Sequence, residues 1–312
     1  MDNPAVSVVC EVFNHEAFLR KCLEGFAMQK TTFEFEVLVY DDASTDHSAD
    51  IIREYEKKYP NLFKPIYQQE NQYSKGVNIW TRIQFPRAKG KYIALCEGDD
   101  HWTDPLKLQK QWEYMEAHPD CSFCFHNAMI HYYDADLPDK PFAQLEDRDY
   151  TGQEACHQWI TPTASYFFRR SIVPGYDEMM VSHPKITTED IPLVVYCAKV
   201  GKLHALPEFM SVCGRHQHGW TQFKDAAKSY RQGRSWEDQR KAYGPEYHDV
   251  ATSIMTGYYL AALARGFREK DFITAAKAFW RGIVLHPVSG FDAILRLPGE
   301  RKRRNARMKK NA

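Results

Sequence analysis

An α/β fold is predicted, with a mostly parallel sheet sandwiched by helices and a helical extension at the C-terminal end. Three observations predict it. Short runs rich in β-branched and aromatic residues at 6–12, 35–40 and 92–96 alternate with stretches whose apolar residues recur at helical spacing. Polar and acidic residues gather where those runs end, as expected where parallel strands present their carboxyl ends to a ligand crevice. Beyond about residue 245 the strand pattern gives way to Ala, Leu, Tyr and Phe at helical spacing.

The run 6–12 has the length of a buried strand, and Asn14 opens a helix with Phe18, Leu19, Cys22, Leu23 and Phe26 inward. The second strand, 35–40, closes on Asp41 and Asp42 and passes through Ser44, Thr45 and Asp46 into a helix carrying Ile51, Ile52, Tyr55 and Tyr59. Pro60 ends that helix, a short strand is expected at 63–67, and a helix at 76–85. The central strand follows in KYIALCEGDDHWTDP, where an apolar run breaks into Glu97, Asp99 and Asp100 around Gly98. Carboxylates held together at a strand end repel one another, and an oxygen-preferring divalent cation removes that cost. Asp104 is expected to cap a helix starting at Pro105. A strand at 122–131, an Asp- and Pro-rich loop at 134–149, a strand at 160–170, a loop entering a helix at 187–201 and a strand with a His-rich turn at 209–220 complete the first part. The stretch 230–240 is polar and charged, a domain-like boundary is expected near 225–245, and 248–286 reads as two helices.

With 312 residues, 44% of them hydrophobic, the chain can bury a large core. Its eight cysteines lie mostly in apolar runs, as in a reducing compartment, and the single C-x-x-C at Cys121 and Cys124 lacks a second pair for structural zinc. A secretory leader and a spanning apolar run of roughly 18 residues are not expected, so a cytoplasmic location is. Formal net charge is zero, but seven of the 41 Lys and Arg residues fall between 301 and 310. With Phe291, Ile294, Leu295 and Leu297 ahead of them, these cations suit a peripheral contact with an anionic membrane. Nucleic-acid binding is not expected, because no reader fold or aromatic platform accompanies the basic run.

Five ordered stretches resemble the family 2 inverting glycosyltransferases of GT-A fold: VSVVCEVFNHEAFLRKCL at 6–23, FEVLVYDDASTD at 35–46, GKYIALCEGDDHWTDPLKLQKQ at 90–111, TTEDIPL at 187–193 and SVCGRHQHGW at 211–220. The resemblance implies transfer of a sugar, with inversion, from a nucleotide-sugar donor, a UDP-sugar foremost. The acceptor would be a glycan or lipid-linked hydroxyl in bacterial surface polysaccharide assembly. It places Asp42, with Asp41 beside it, on the imide of a pyrimidine base, Glu11 near the base or ribose, and Asp99 on the ribose hydroxyls. It gives Asp100 and His216 to a Mn²⁺ or Mg²⁺ ion bridging the phosphates, with His218 the competing histidine because Cys213 and Gly214 depart from the family's Tyr-Arg. Asp190, or its neighbour Glu189, is the implied catalytic base.

Other residues have weaker expectations. Lys75, Arg82, Arg87 or Lys89 could meet the diphosphate, His101 and Trp102 could pack on the sugar, and Thr163 and Ser165 border the implied acceptor pocket. The expected organisation is a catalytic domain at 1–225, divided near 105 into donor and acceptor halves, a helical extension at 226–290 and an amphipathic, basic tail at 291–312. Two rivals are a sugar nucleotidyltransferase and a non-catalytic sugar- or nucleotide-binding scaffold. The first would want a Gly-rich basic loop after the first strand, where this chain has EVFNHEAF.

Overall fold

The structure is a computed structural model that describes residues 3–217, 219 and 225–284. The described chain divides into two compact units. The larger comprises residues 1–179 and 189–217; the smaller comprises 180–188 and the residues from 218 onward.

In the larger unit the elements alternate from the start: β1 (Val6–Val12), α1 (Glu16–Ala27), β2 (Phe35–Asp41), α2 (Ser48–Lys58), β3 (Ile66–Tyr67), α3 (Phe85–Arg87) and β4 (Tyr92–Leu95). Then come β5 (His101–Trp102), α4 (Lys107–Ala117), β6 (Cys121–Tyr132), β7 (Lys140–Pro141), β8 (Arg148–Tyr150), α5 (Gly152–Gln158), β9 (Phe167–Arg169), α6 (Val173–Ser182), α7 (Asp190–Val200) and β10 (Lys202–Arg215). The sheet runs β3-β2-β1-β4-β9-β6-β10-β5, with β7 on β6 and β8 on β10. Pairing is parallel from β3 through β4 and between β6 and β10, while β9, β5, β7 and β8 run antiparallel to their neighbours. This is the expected α/β class of GT-A type, with a parallel donor-side half and a mixed remainder.

The core forms where the strand faces meet the helices. Val6, Val8, Cys10 and Val12 of β1 and Val37 and Val39 of β2 pack with Leu19, Cys22, Leu23 and Phe26 of α1, all essentially sealed from solvent. Burying each such aliphatic side chain contributes about 1.5–3 kcal/mol, which is what fixes the register of β1 between β2 and β4.

Several local expectations are corrected. The helix expected at 76–85 is present but begins at Ile79, not Gly76, and its Trp80–Gln84 turn is π-helical before it runs into α3, which has Pro86 near its start. The helix after the acidic turn begins at Lys107, and Asp104 accepts from the Leu106 amide at 2.8 Å, so it turns the chain into α4 without capping it. The stretch 160–170 is strand only at β9, because Pro162 and the tight turn Thr163–Ser165 break the pattern. The 134–149 loop carries β7 and β8, and Asn127 pins its Leu145 backbone from both sides at 2.9 and 3.1 Å.

The smaller unit holds α8 (Ala226–Tyr243), α9 (His248–Glu269) and α10 (Phe272–Phe279), the last continuing without a break into a π-helical turn at Trp280–Val284. Asp225 and Asp271 cap α8 and α10 by accepting from the amides of Lys228 and Thr274. The polar stretch 230–240 lies inside α8. The residues from 285 on, with the apolar and basic tail, lie outside the described residues.

Candidate active site

Because β2, β1 and β4 are parallel neighbours, their carboxyl ends share one rim of the sheet. Glu11 pairs with Tyr40, Val12 with Asp41, and Val9 with Leu95, which sets Glu11, Asp41 and the turn after β4 side by side. The Gly98 amide donates to the Glu11 carbonyl at 2.9 Å, folding the acidic turn against β1. A Cβ at 98 would come within 2.8 Å of His15 Nδ1 and 3.0 Å of the Val12 side chain, so any larger residue would push those side chains aside.

Within the turn, the carboxylates have different partners. Asp100 is 6% exposed, and its Oδ1 accepts from the Gly214 amide at 2.8 Å while its Oδ2 accepts from the Cys213 thiol at 3.4 Å. Burial and the charge of Asp99 push Asp100 up to about 7. Asp99 Oδ2 pairs with His216 Nε2 at 3.0 Å, and although burial works against it, this bond and the imidazoles of His15 and His216 hold Asp99 below the usual carboxylate range. Burial, then Asp99, Asp100 and Asp190, push Glu97 far up. The same holds for Glu11, raised by burial, Glu189 and Glu97, with its Oε1 unpartnered.

The pair after β2 divides its work. Asp42 is committed to the chain around it, accepting from the amides of Gln72 at 2.7 Å and Tyr73 at 3.0 Å and from the Tyr40 hydroxyl at 3.2 Å. Asp41 has a buried Oδ1 with no partner, and burial raises its pKa against the hydrogen bonds of Ser44. Asp46 supplies the helix starts, accepting from the amides of Glu16 at 3.0 Å and Ser48 at 2.9 Å.

A similar division appears at the start of α7. Glu189 accepts from the amides of Trp80 and Thr81, each at 3.3 Å, and burial pushes it up to about 7. Asp190 is the first residue of α7, its Oδ1 is buried without a partner, and burial raises it as well.

His216 Nδ1 is also unpartnered, and its ring lies 4.5 Å from that of Phe18. An imidazole whose Nε2–H points at a carboxylate has its Nδ1 lone pair left to offer a cation. Among the described residues no three His, Cys, Asp or Glu side chains form a ready-made cation cage. The unpartnered nitrogen and the mutually repelling carboxylates nevertheless fit a divalent cation whose remaining ligands come from a bound molecule. His218 lies outside the described residues.

Sequence reasoning passed over His15, which sits at the mouth of α1 with its ring 6.4 Å from that of His216 and its amide on Ser48 Oγ at 2.9 Å. Its signal was position alone, directly after β1. Of the cations offered for the diphosphate, Lys75 pairs with Glu70, Arg82 with Asp177 at 3.3 Å, and Arg87 donates to the Lys64 carbonyl at 2.6 Å; the charge of Arg215, which the sequence did not single out, opposes the upward shifts of Glu97 and Asp100. Trp102 is core, packed on Phe26 at 4.7 Å and donating to the Ala164 carbonyl at 2.8 Å.

Comparison with known proteins bears on the family and the fold. The family model described as Glycosyl transferase family 2 matches residues 7–169. The uncharacterized protein Rv1520 of Mycobacterium tuberculosis is 36% identical over 277 residues, covering 88% of this chain and 73% of that one. The putative teichuronic acid biosynthesis glycosyltransferase TuaG of Bacillus subtilis is 30% identical over 122 residues, 39% of this chain and 46% of that protein. Among solved structures, S. aureus TarS 1–349 in complex with UDP-GlcNAc aligns with a TM-score of 0.59 at 16% identity, covering 92% of this chain and 79% of that one, a likeness of fold alone. A motif order, a fold and a matched family model that agree over more than half its length make this chain a member of glycosyl transferase family 2, a glycosyltransferase of GT-A fold.

Proposed function

We propose that this glycosyltransferase takes its sugar from a UDP-sugar and passes it, with inversion, to a hydroxyl of a glycan or lipid-linked acceptor in bacterial surface polysaccharide assembly. The observation that carries the reading is a set of unpartnered buried acceptors: Glu11 Oε1 and Asp41 Oδ1 on the rim that β1 and β2 share with the turn of Glu97, Asp99 and Asp100, His216 Nδ1 on the ring bound to Asp99, and Asp190 Oδ1 at the start of α7, whose charge acts on Glu97. Buried acceptors without donors are costly, and a ligand rich in N–H and O–H groups relieves that cost. A uracil imide, ribose hydroxyls and an acceptor hydroxyl are such groups. The UDP-GlcNAc bound by TarS and the teichuronic acid biosynthesis in the name of TuaG support the donor and the setting.

In this reading Asp41 accepts from the base, Asp42 holds the 72–73 backbone behind it, Glu11 and Asp99 serve the ribose, and Arg215 faces the phosphates. Asp190 takes the proton of the acceptor hydroxyl as that oxygen attacks the anomeric carbon, the bond from that carbon to the diphosphate breaks, and the nucleoside diphosphate leaves on the opposite side. One carboxylate base suffices, and direct displacement inverts the configuration. Glu189, bound to two amides, orients the start of α7. Asp100 and His216 would hold a Mn²⁺ or Mg²⁺ ion, which when bound neutralises the departing diphosphate. Residues 1–225 act as the catalytic domain in this proposal, with the donor half ending near 105, the acceptor half beyond it, and 226–290 as a helical extension.

Calorimetry with UDP and GDP, with and without Mn²⁺, on the wild type and Asp100→Asn tests the reading. Mn²⁺-dependent binding of UDP in preference to GDP, lost in the variant, is expected. UDP binding that ignores both Mn²⁺ and the substitution would remove the metal from the proposal, and no binding of either nucleotide would return the scaffold reading.

A further inference from the structure

The helix α10 is packed inside out. Its small residues Ala275 and Ala278 are buried, as is Gly282 just beyond it, and α9 meets them closely: a Cβ on Gly282 would lie 2.7 Å from Tyr259 Cβ, and one on Gly266 of α9 would lie 2.9 Å from Ala275 Cβ. Its large apolar residues point the other way. Phe272, Ile273, Phe279 and Trp280 are 60, 70, 47 and 58% exposed, and Phe267 at the end of α9 and Val284 extend the same apolar surface, with the Phe267 and Phe272 rings 6.2 Å apart. Positions 272, 273, 279 and 280 recur at helical spacing on one face. A helix facing only water places polar residues there; a continuous stripe of large apolar ones is a contact surface.

We propose that this face docks on an anionic lipid surface. Its chemistry selects that occupant over a protein. Residues 272–284 carry Lys277 and no acidic residue, the charge of Arg281 being held by Glu237 at 2.8 Å, and the sequence that follows brings Phe291, Ile294, Leu295 and Leu297 and then seven Lys and Arg between 301 and 310. Aromatic rings with flanking cations are what an interfacial helix uses to seat itself at the headgroup boundary. A second copy of this chain would bring the same cations against themselves, whereas anionic headgroups complement them. The contact is peripheral in kind, since among the described residues no helix is long and apolar enough to cross a membrane. It stands independently of the donor crevice, so either proposal can fail without the other.

The test is sedimentation of the full chain with vesicles of phosphatidylcholine containing about one-third phosphatidylglycerol, and with phosphatidylcholine alone. The wild type is expected to partition onto the anionic vesicles and to come off as salt is raised. Phe272→Ser/Ile273→Ser/Trp280→Ser is expected to weaken partition at least about tenfold, with circular dichroism and UDP calorimetry unchanged. Ile273→Glu alone repeats the test with a smaller perturbation and a smaller expected loss. No partition of the wild type, or equal partition of the variants, overturns the proposal. So does a wild-type dimer in light scattering that the triple variant dissociates, which would make a second copy the occupant.

Discussion

The Gly214 amide donates to Asp100 Oδ1 at 2.8 Å, and the backbones there are so close that a Cβ at 214 would overlap the Asp99 carbonyl oxygen and press on the Tyr133 ring. The Cys-Gly pair that departs from the family's pattern is therefore the piece of β10 that holds the acidic turn. Gly214→Ala must push β10 off that turn. It is expected to cost about 1–3 kcal/mol of stability in urea denaturation and at least about tenfold in Mn²⁺-dependent UDP affinity. Unchanged UDP affinity would show that Asp100 does not depend on this contact.

Asp190 and Glu189 are neighbours with opposite commitments, one carrying an unpartnered oxygen and the other bound to two amides. Asp190→Asn is expected to lower kcat by about 10²–10⁴-fold, the range a general base supplies, with UDP affinity retained. Glu189→Gln keeps a carbonyl acceptor and is expected to lose less than about tenfold. Steady-state rates that rank the two the other way would hand the base to Glu189.

The same pair gives a pH signature. Burial holds Glu189 up near 7, above the ordinary carboxylate value, so between those two pH values the folded chain binds a proton that the unfolded chain has lost. Its contribution to stability is therefore full in acid and is lost as pH rises through about 7. Glu189→Gln should flatten part of that decline, gaining about 1–2 kcal/mol relative to wild type at pH 8 and little at pH 5. Urea melts at the two pH values read this directly, and parallel wild-type and variant curves would contradict the assignment.

The donor half was legible because its physics is local. Val6, Val8, Cys10 and Val12 are apolar because both faces of β1 are covered, and carboxylates appear where that cover ends. The division of labour inside each acidic pair was not legible, since Asp41 and Asp42 differ only in which amides fold back onto them. Nor was α8, whose buried face uses polar partners in place of apolar ones. Gln239 donates to Ser235 Oγ at 3.0 Å, Tyr243 to Gln239 Oε1 at 2.7 Å, and Arg281 pairs with Glu237 at 2.8 Å. Hydrophobic periodicity cannot register a face of that kind. The stretch 160–170 failed for another reason: its apolar residues are buried, but Pro162 and the Thr163–Ser165 turn bend the backbone out of the ladder.

Asp41 and Asp42 give a paired test of that division. Asp42→Ala strips the acceptors from the Gln72 and Tyr73 amides and is expected to destabilise the chain by about 1–3 kcal/mol. Asp41→Asn has no such bonds to lose to the 72–73 backbone, so its melt should stay near wild type. Its UDP affinity should fall by about tenfold or more, as a buried acceptor facing an imide becomes an amide. If instead the Asp41 variant is destabilised and binds UDP normally, the roles are exchanged.

Lys107, the first residue of α4, is fully buried, with Nζ 3.9 Å from the Trp102 ring centroid and no hydrogen-bond partner. Burial, opposed by the nearby thiols of Cys96 and Cys124, brings its pKa down to about 7. Here the sign is opposite to that of Glu189. Between about 7 and the ordinary lysine value the unfolded chain holds a proton that the folded chain has released, so wild-type stability rises with pH across that window. Methionine fills the same volume without a charge to desolvate. Lys107→Met is expected to gain about 1–3 kcal/mol at pH 6, with the gain shrinking as pH approaches 10. The contact with Trp102 works against that gain, because a desolvated ammonium over an indole face contributes about 2 kcal/mol. Urea melts at pH 6 and pH 9.5 separate the two effects. A variant less stable than wild type at pH 6 would mean that the ammonium–indole contact exceeds the cost of burying the charge, and that Lys107 holds Trp102 as a charged group.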